Sequence, residues 1–96
     1  MAWNPSEIAG LGDARVVLLT RVGCHLCADA LAVVERVCTA TGTRYAEVDV
    51  DSDPQLRRQF NDQVPVTFVD GRQHDFWRVD EQRLRTALSS PATPPT

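Results

Sequence analysis

Cys24 and Cys27 stand three positions apart in the stretch TRVGCHLCADAL, which runs from Thr20 to Leu31 with His25 and Leu26 between the two cysteines. Two thiols at that spacing can be a redox pair, two ligands of a metal, or two small apolar residues at the start of a helix. Cys38 is the third cysteine of the 96-residue chain. An odd count argues against a scaffold of structural disulfides. A mononuclear zinc site needs about four ligands, usually as two well-spaced pairs. The chain has no second CxxC and no HxxxH, and His74 reads as an exposed residue of a hairpin.

The elements that must position the pair can be read from hydropathy period. Met1–Asp13 carries Pro5, Gly10 and Gly12 and reads as a lead-in, with Trp3 covering one edge of the core. Arg15–Thr20 (RVVLLT) is a continuous β-branched and apolar run, the pattern of a strand buried on both faces. From Cys24 to Ala40 the period becomes helical. Cys27, Leu31, Val34 and Cys38 form one stripe, widened by Ala30, Val33 and Val37, and Gly42 is a left-handed terminator. Tyr45–Val50 alternates, with Ala46, Val48 and Val50 on one face and Tyr45, Glu47 and Asp49 on the other.

Ser52 or Asp53 before Pro54 starts a short helix that ends near Phe60–Asn61. Val66–Val69 and Arg72–Trp77 are strands joined by an Asp70-Gly71 hairpin turn. Asp80 caps a last helix, Glu81–Leu88, whose inner face is Leu84, Ala87 and Leu88. The order is βαβ, helix, hairpin, helix. It predicts a four-stranded mixed sheet with helices on both faces, in one α/β domain. The expected division is a lead-in over 1–14, the domain over 15–89 and a disordered tail over 90–96, where SSPATPPT closes the chain from Ser89. The CxxC falls where the first strand hands over to the first helix.

Composition excludes some classes. The net charge is −3 and all ten basic residues are arginines, so nothing argues for nucleic acid or an anionic membrane. The absence of lysine is read as a genomic bias, of the kind found in GC-rich bacteria. Met1–Leu11 has neither the basic nor the apolar region of a signal peptide, and no apolar run reaches the length of a membrane span. The expected setting is a reducing cytoplasm, where a CxxC is catalytic, redox-active or metal-binding more often than structural. The expected state is a monomer.

These residues resemble the glutaredoxin-like branch of the thioredoxin superfamily, in particular small bacterial proteins with a CHLC motif. The resemblance covers Arg15 to Leu88. It rests on LLTRVGCHLC after the first strand, VDVDSDP after the second, QVPVTFVDG before the hairpin, and the terminal helix. It implies a thioredoxin-like fold and thiol–disulfide exchange with a protein or a low-molecular-weight thiol such as glutathione, without a bound cofactor. The reductase that supplies electrons is not implied.

Cys24 then becomes the attacking cysteine, at a helix start where unpaired N–H groups and the positive dipole end stabilise a thiolate. Cys27, one turn later and less exposed, becomes the resolving one. Cys38 lies eleven residues further along the same stripe, roughly 16 Å at the rise of a helix, whereas disulfide Cα atoms must come within about 7 Å. It is core. Arg21 takes the place of a lysine common in glutaredoxins, which helps the thiolate and meets a substrate carboxylate. His25, when protonated, favours the Cys24 thiolate.

Val64-Pro65 matches the superfamily's cis-Pro loop, whose backbone pairs with an extended substrate. Glutathione-binding members follow the hairpin with Gly-Gly and an acidic helix start. This chain has QHDFWRVDEQ there, with Asp80 and Glu81 as the acidic start and no paired glycines. Phe76 and Trp77 read as core residues of the returning strand, with narrowing of the groove as the alternative. Two other classes stay in view: an Fe–S or metal-binding protein sharing a cluster across a dimer, and a binding module that keeps the fold without turnover.

Overall fold

The computed structural model describes residues 14–89. The lead-in with Trp3 and the 90–96 tail lie outside the described residues. The apolar run forms β1 (Val16–Thr20), all five residues buried. It is followed by α1 (His25–Thr41), β2 (Tyr45–Asp49), a 3₁₀ turn (Val50–Ser52), α2 (Pro54–Phe60), β3 (Val66–Val69), β4 (Arg72–Phe76) and α3 (Glu81–Leu88). The sheet order is β2-β1-β3-β4, with β2 parallel to β1 and both hairpin strands antiparallel to their neighbours. No described helix is long and apolar enough to cross a membrane.

Strand β1 is central, so its alternate residues feed two cores. Val16 and Leu18 join Ala30, Val34, Val37 and Cys38 of α1 and Leu84 and Leu88 of α3 on one face. Val17 and Leu19 join Val50, Leu56, Phe60, Val66 and Phe68 on the other. This explains why β1 shows no polar alternation: both of its faces are interior. Arg36 of α1 pairs with Glu81 of α3 at 2.7 Å and fastens the two helices together, while Arg85 pairs with Glu81 at 3.2 Å within α3.

Local signals set the ends. The Asp53 carboxylate accepts the Gln55 N–H ahead of Pro54, and the Asp80 carboxylate accepts the Arg83 N–H. Gly42 closes α1 at φ 66. Asp70 and Gly71 both take positive φ, 52 and 81, the twist a two-residue hairpin needs. Strand β2 stops at Asp49, one residue early, because Val50 opens the 3₁₀ turn while still reaching the core.

Two expectations fail in the hairpin. Phe76 and Trp77 are not core: they are 48% and 53% exposed, with rings edge-to-face at 5.0 Å. Strand β4 ends at Phe76, and Trp77 takes φ 64, a left-handed conformation uncommon for a bulky residue. Its N–H donates to the Pro65 carbonyl at 2.7 Å and its indole to the Asp62 carbonyl at 3.0 Å. Those bonds hold the chain where a sheet-face position would otherwise continue.

His74 is the second correction. Thr67 pairs with Asp75 and Phe68 with Gln73, so His74 is the extra residue of a bulge and turns inward. Its Nε2 is buried without a hydrogen-bond partner. Burial holds the imidazole pKa below its ordinary value; Arg83 acts the same way against Asp75 and Asp80. The unfolded chain therefore binds a proton at His74 that the folded chain resists, and stability falls as pH drops below about 6.5. The urea midpoint of the native chain is expected to decline between about pH 7 and pH 5 more than that of His74→Gln. Parallel declines in the two chains would remove His74 as the cause.

Candidate active site

Strand β1 delivers the chain to the site. After Thr20 it turns through Val22 and Gly23, the glycine at φ 78, and Cys24 becomes the N-cap of α1 with extended backbone. The register Leu19↔Val66 places Pro65 alongside Thr20, at the same end of the sheet as the cysteines. The Val64–Pro65 peptide bond is cis. Pro65 is fully buried, and Val64 stands outside β3, packed at the edge of the second core.

The two sulfurs are unequal. The Cys24 sulfur accepts the Cys27 N–H at 3.1 Å, so a thiol does the capping that a serine or aspartate does elsewhere. Cys24 is part-exposed, whereas Cys27 is 3% and Cys38 1% exposed. Burial first, then hydrogen bonding with Cys24, pushes the Cys27 thiol up to about 11. Burial alone pushes Cys38 up to about 11. Both inner cysteines are thus thiols near neutral pH, and Cys38 packs among core residues of α1, α3 and β1. A cavity of about 380 Å³ opens at the pair, lined among others by Thr20, Arg21, Cys24, His25, Cys27 and Glu47.

The charged residues named from the sequence are not all gathered there. Arg21 lines the cavity, but its guanidinium forks onto Asp51 at 2.9 and 3.1 Å and reaches the Asn61 amide oxygen at 2.6 Å. Its charge is matched by a carboxylate within the chain, and the loop before the cysteines is tied to the 3₁₀ turn and to the end of α2. His25 is exposed as the first residue of α1. Asp80 is engaged as the cap of α3. Trp77 enters from the hairpin side: a second cavity, of about 250 Å³, runs between it and Leu26, with Asp29, Val33 and Arg78 in its wall. Among the described residues no three His, Cys, Asp or Glu are gathered as a group that could hold a metal ion.

Sequence reasoning did not single out Glu47, and it read Trp77 as core, with narrowing of the groove as the alternative. The alternation of β2 set Glu47 on the face away from the core; only the β1–β2 register shows that this face leads to the cysteines.

Paired cysteines at a strand–helix junction, beside a cis-proline on a four-stranded mixed sheet, define a protein of the thioredoxin fold. A thioredoxin variant from Halobacterium salinarum has the same fold, with a TM-score of 0.58 and 28% identity over 88% of this chain and 80% of that one. More narrowly, the chain belongs to the glutaredoxin-like domain family (DUF836), whose pattern matches residues 15–89. An uncharacterized protein of Mycobacterium bovis is 39% identical over 88 residues, covering 84% of this chain and 91% of that protein. The X-ray structure of a structural-genomics target protein from X. campestris has a TM-score of 0.64 at 29% identity, covering 79% of this chain and 99% of that one.

Proposed function

We propose that the chain is a thiol–disulfide oxidoreductase of glutaredoxin type, acting as a monomer in a reducing cytoplasm on a protein or low-molecular-weight disulfide. One observation carries the reading: a part-exposed Cys24 sulfur at the start of α1, with Cys27 buried one turn behind it.

In the first step the Cys24 thiolate attacks one sulfur of the substrate disulfide. A Cys24–substrate S–S bond forms, the substrate S–S bond breaks, and the first thiolate leaves and is protonated by solvent. In the second step Cys27 attacks the Cys24 sulfur. The Cys24–Cys27 bond forms, the second substrate thiolate leaves, and the substrate has gained two electrons from the dithiol. An external thiol or a dithiol protein returns the pair to its reduced state.

Supporting roles follow from position. The Val64 backbone beside Pro65 receives an extended substrate segment. Arg21 fixes the loop at the mouth through Asp51, and His25 stands exposed beside Cys24, within reach of a bound substrate. Asp80 and the start of α3 lie on the hairpin side, where the polar end of a substrate would rest.

The test is turnover. The full chain, given a mixed disulfide between glutathione and a reporter thiol, should reduce it with either glutathione or a thioredoxin-reductase system as donor, and the better donor names the class. No reduction with either donor would overturn the reading and leave a thioredoxin-fold binding module.

A further inference from the structure

The described residues expose five large apolar side chains: Val22, Leu26, Tyr45, Phe76 and Trp77. Four of them gather at the cysteine end of the sheet. Val22 and Leu26 stand two residues before and after Cys24. Phe76 pairs with Val66 at the end of β4, and Trp77 follows it. Tyr45 stands at the other end, where β2 starts opposite Val16. Apolar surface collected around a reactive sulfur marks a contact surface, whereas single scattered residues need no explanation.

Trp77 is fixed in place without being buried. Its left-handed backbone is one a bulky residue adopts where its neighbours impose it. Those neighbours belong to the loop that carries the cis bond. The Trp77 N–H donates to the Pro65 carbonyl at 2.7 Å and to the Gln63 carbonyl at 3.3 Å, and the indole N–H donates to the Asp62 carbonyl at 3.0 Å. The Phe76 ring meets it edge-to-face at 5.0 Å. The indole still stays 53% exposed, so core burial does not offset the strain. A wall held this way loses little freedom when a partner covers it.

Leu26, Ala30 and Val33 of α1 face Trp77 and Val79 across a groove. Its volume is about 250 Å³. Sites that enclose a whole small ligand run to roughly 300–1,000 Å³, so this one suits a single large side chain. Asp29 and Arg78 give its wall one charge of each sign, which favours neither a carboxylate nor an ammonium group. Arg21, the cation at the cysteine cavity, is already matched by Asp51. A tripeptide such as glutathione, anionic overall, therefore finds little here to hold its carboxylates. The groove lies on the hairpin flank of α1, the flank of the Val64 backbone, and Leu26 shares its helical turn with Cys24. A segment extended along Val64 with its cysteine at Cys24 carries a neighbouring side chain into the groove.

We propose that the groove between Leu26 and Trp77 receives a large uncharged apolar side chain next to the substrate cysteine. The preferred substrate is then a polypeptide disulfide with such a neighbour, ahead of a glutathionyl one, and Trp77 is the residue that sets this choice. The proposal rests on the exchange reading above and names its substrate class.

The experiment is stopped-flow reaction of the reduced full chain with end-capped peptides whose single cysteine is joined to thionitrobenzoate as a mixed disulfide. The Cys24 thiolate attacks the peptide sulfur, the Cys24–peptide bond forms, and thionitrobenzoate leaves with the electron pair of the broken bond and is read by its colour. One peptide has phenylalanine on both sides of its cysteine, a second has serine there, and the third probe is glutathione itself. Each rate is divided by that of the same probe with dithiothreitol, which removes intrinsic reactivity. In the native chain the phenylalanine peptide should react about tenfold faster than the serine peptide, the effect of taking much of one large side chain out of water. It should also outpace the glutathionyl probe. In Trp77→Gly, where glycine keeps the left-handed backbone freely, the phenylalanine-to-serine ratio should fall to near one. Trp77→Phe should keep part of the ratio, and Tyr45→Ser, at the far end of the sheet, should keep all of it.

A native ratio near one overturns the proposal, and so does a glutathionyl probe that reacts faster than the phenylalanine peptide. An undiminished ratio in Trp77→Gly also overturns it, by placing recognition elsewhere on the rim. Loss of the ratio in Tyr45→Ser as well makes the effect one of the fold and has the same consequence. Reaction of a Cys24→Ser chain with these probes at the native rate instead overturns the exchange reading itself.

Discussion

A Cys24→Ser chain is expected to lose exchange with a small disulfide by at least about a thousandfold, the scale of losing a covalent nucleophile. A Cys27→Ser chain is expected to make the first attack and stop there. The asymmetry follows from geometry. Cys24 presents its sulfur at the cavity mouth, and the only other thiols of the chain are 3% and 1% exposed and held protonated by burial. Serine keeps the cap, since its hydroxyl can accept the same N–H, so the fold should survive and the loss should be chemical. Intact-mass measurement after a brief exposure to dithiobis-nitrobenzoate, an aryl disulfide probe, checks both halves. The Cys27→Ser chain should gain one probe thiol, and Cys24→Ser none. Modification of Cys24→Ser at the native rate, with the probe on Cys27, would sink the assignment of roles.

The second large effect lies in the core behind the site. Leu84→Ala is expected to cost about 2–5 kcal/mol, the range for removing a buried leucine. Leu84 is 0% exposed and joins α3 to α1 and β1. Helix α3 has eight residues, too few to be stable alone in water, so its helicity depends on that packing. In a domain of this size each kcal/mol moves the melting temperature by roughly 4–8 °C, so a fall of about 10 °C or more is expected by circular dichroism. A fall of under about 3 °C would mean that α3 contributes little to holding the sheet face closed.

How much was legible differs by element. The stripe Cys27, Ala30, Val34, Val37, Cys38 is buried along α1 because one helix face must meet one sheet face, and periodicity encodes that directly. The ends at Asp53, Asp70-Gly71 and Asp80 were legible because capping and turn chemistry act within a few residues. Arg21 was read as a charge near the cysteines, but its partner Asp51 is 30 residues away and only the fold joins them. Trp77 was misread because nothing in an aromatic side chain announces a left-handed backbone; bonds to Pro65 and Asp62 impose it. His74 was misread because a bulge changes which face a residue meets, and the hairpin sequence does not mark one. Glu47 was set on the correct face, but its meaning depends on its hydrogen bond with Thr20 across the strand pair.

The sulfur cap of α1 ties local order to bonding state. A thiolate accepts an N–H strongly, while the neutral sulfur of a disulfide accepts it weakly. The clasp on the first turn of α1 is therefore made by an atom whose grip changes with what it is bonded to. In the exchange proposed above, a bond to the Cys24 sulfur weakens its hold on the amide of Cys27, the very residue whose approach the next bond requires. The helix is fastened while the site waits and slackened once the sulfur is occupied.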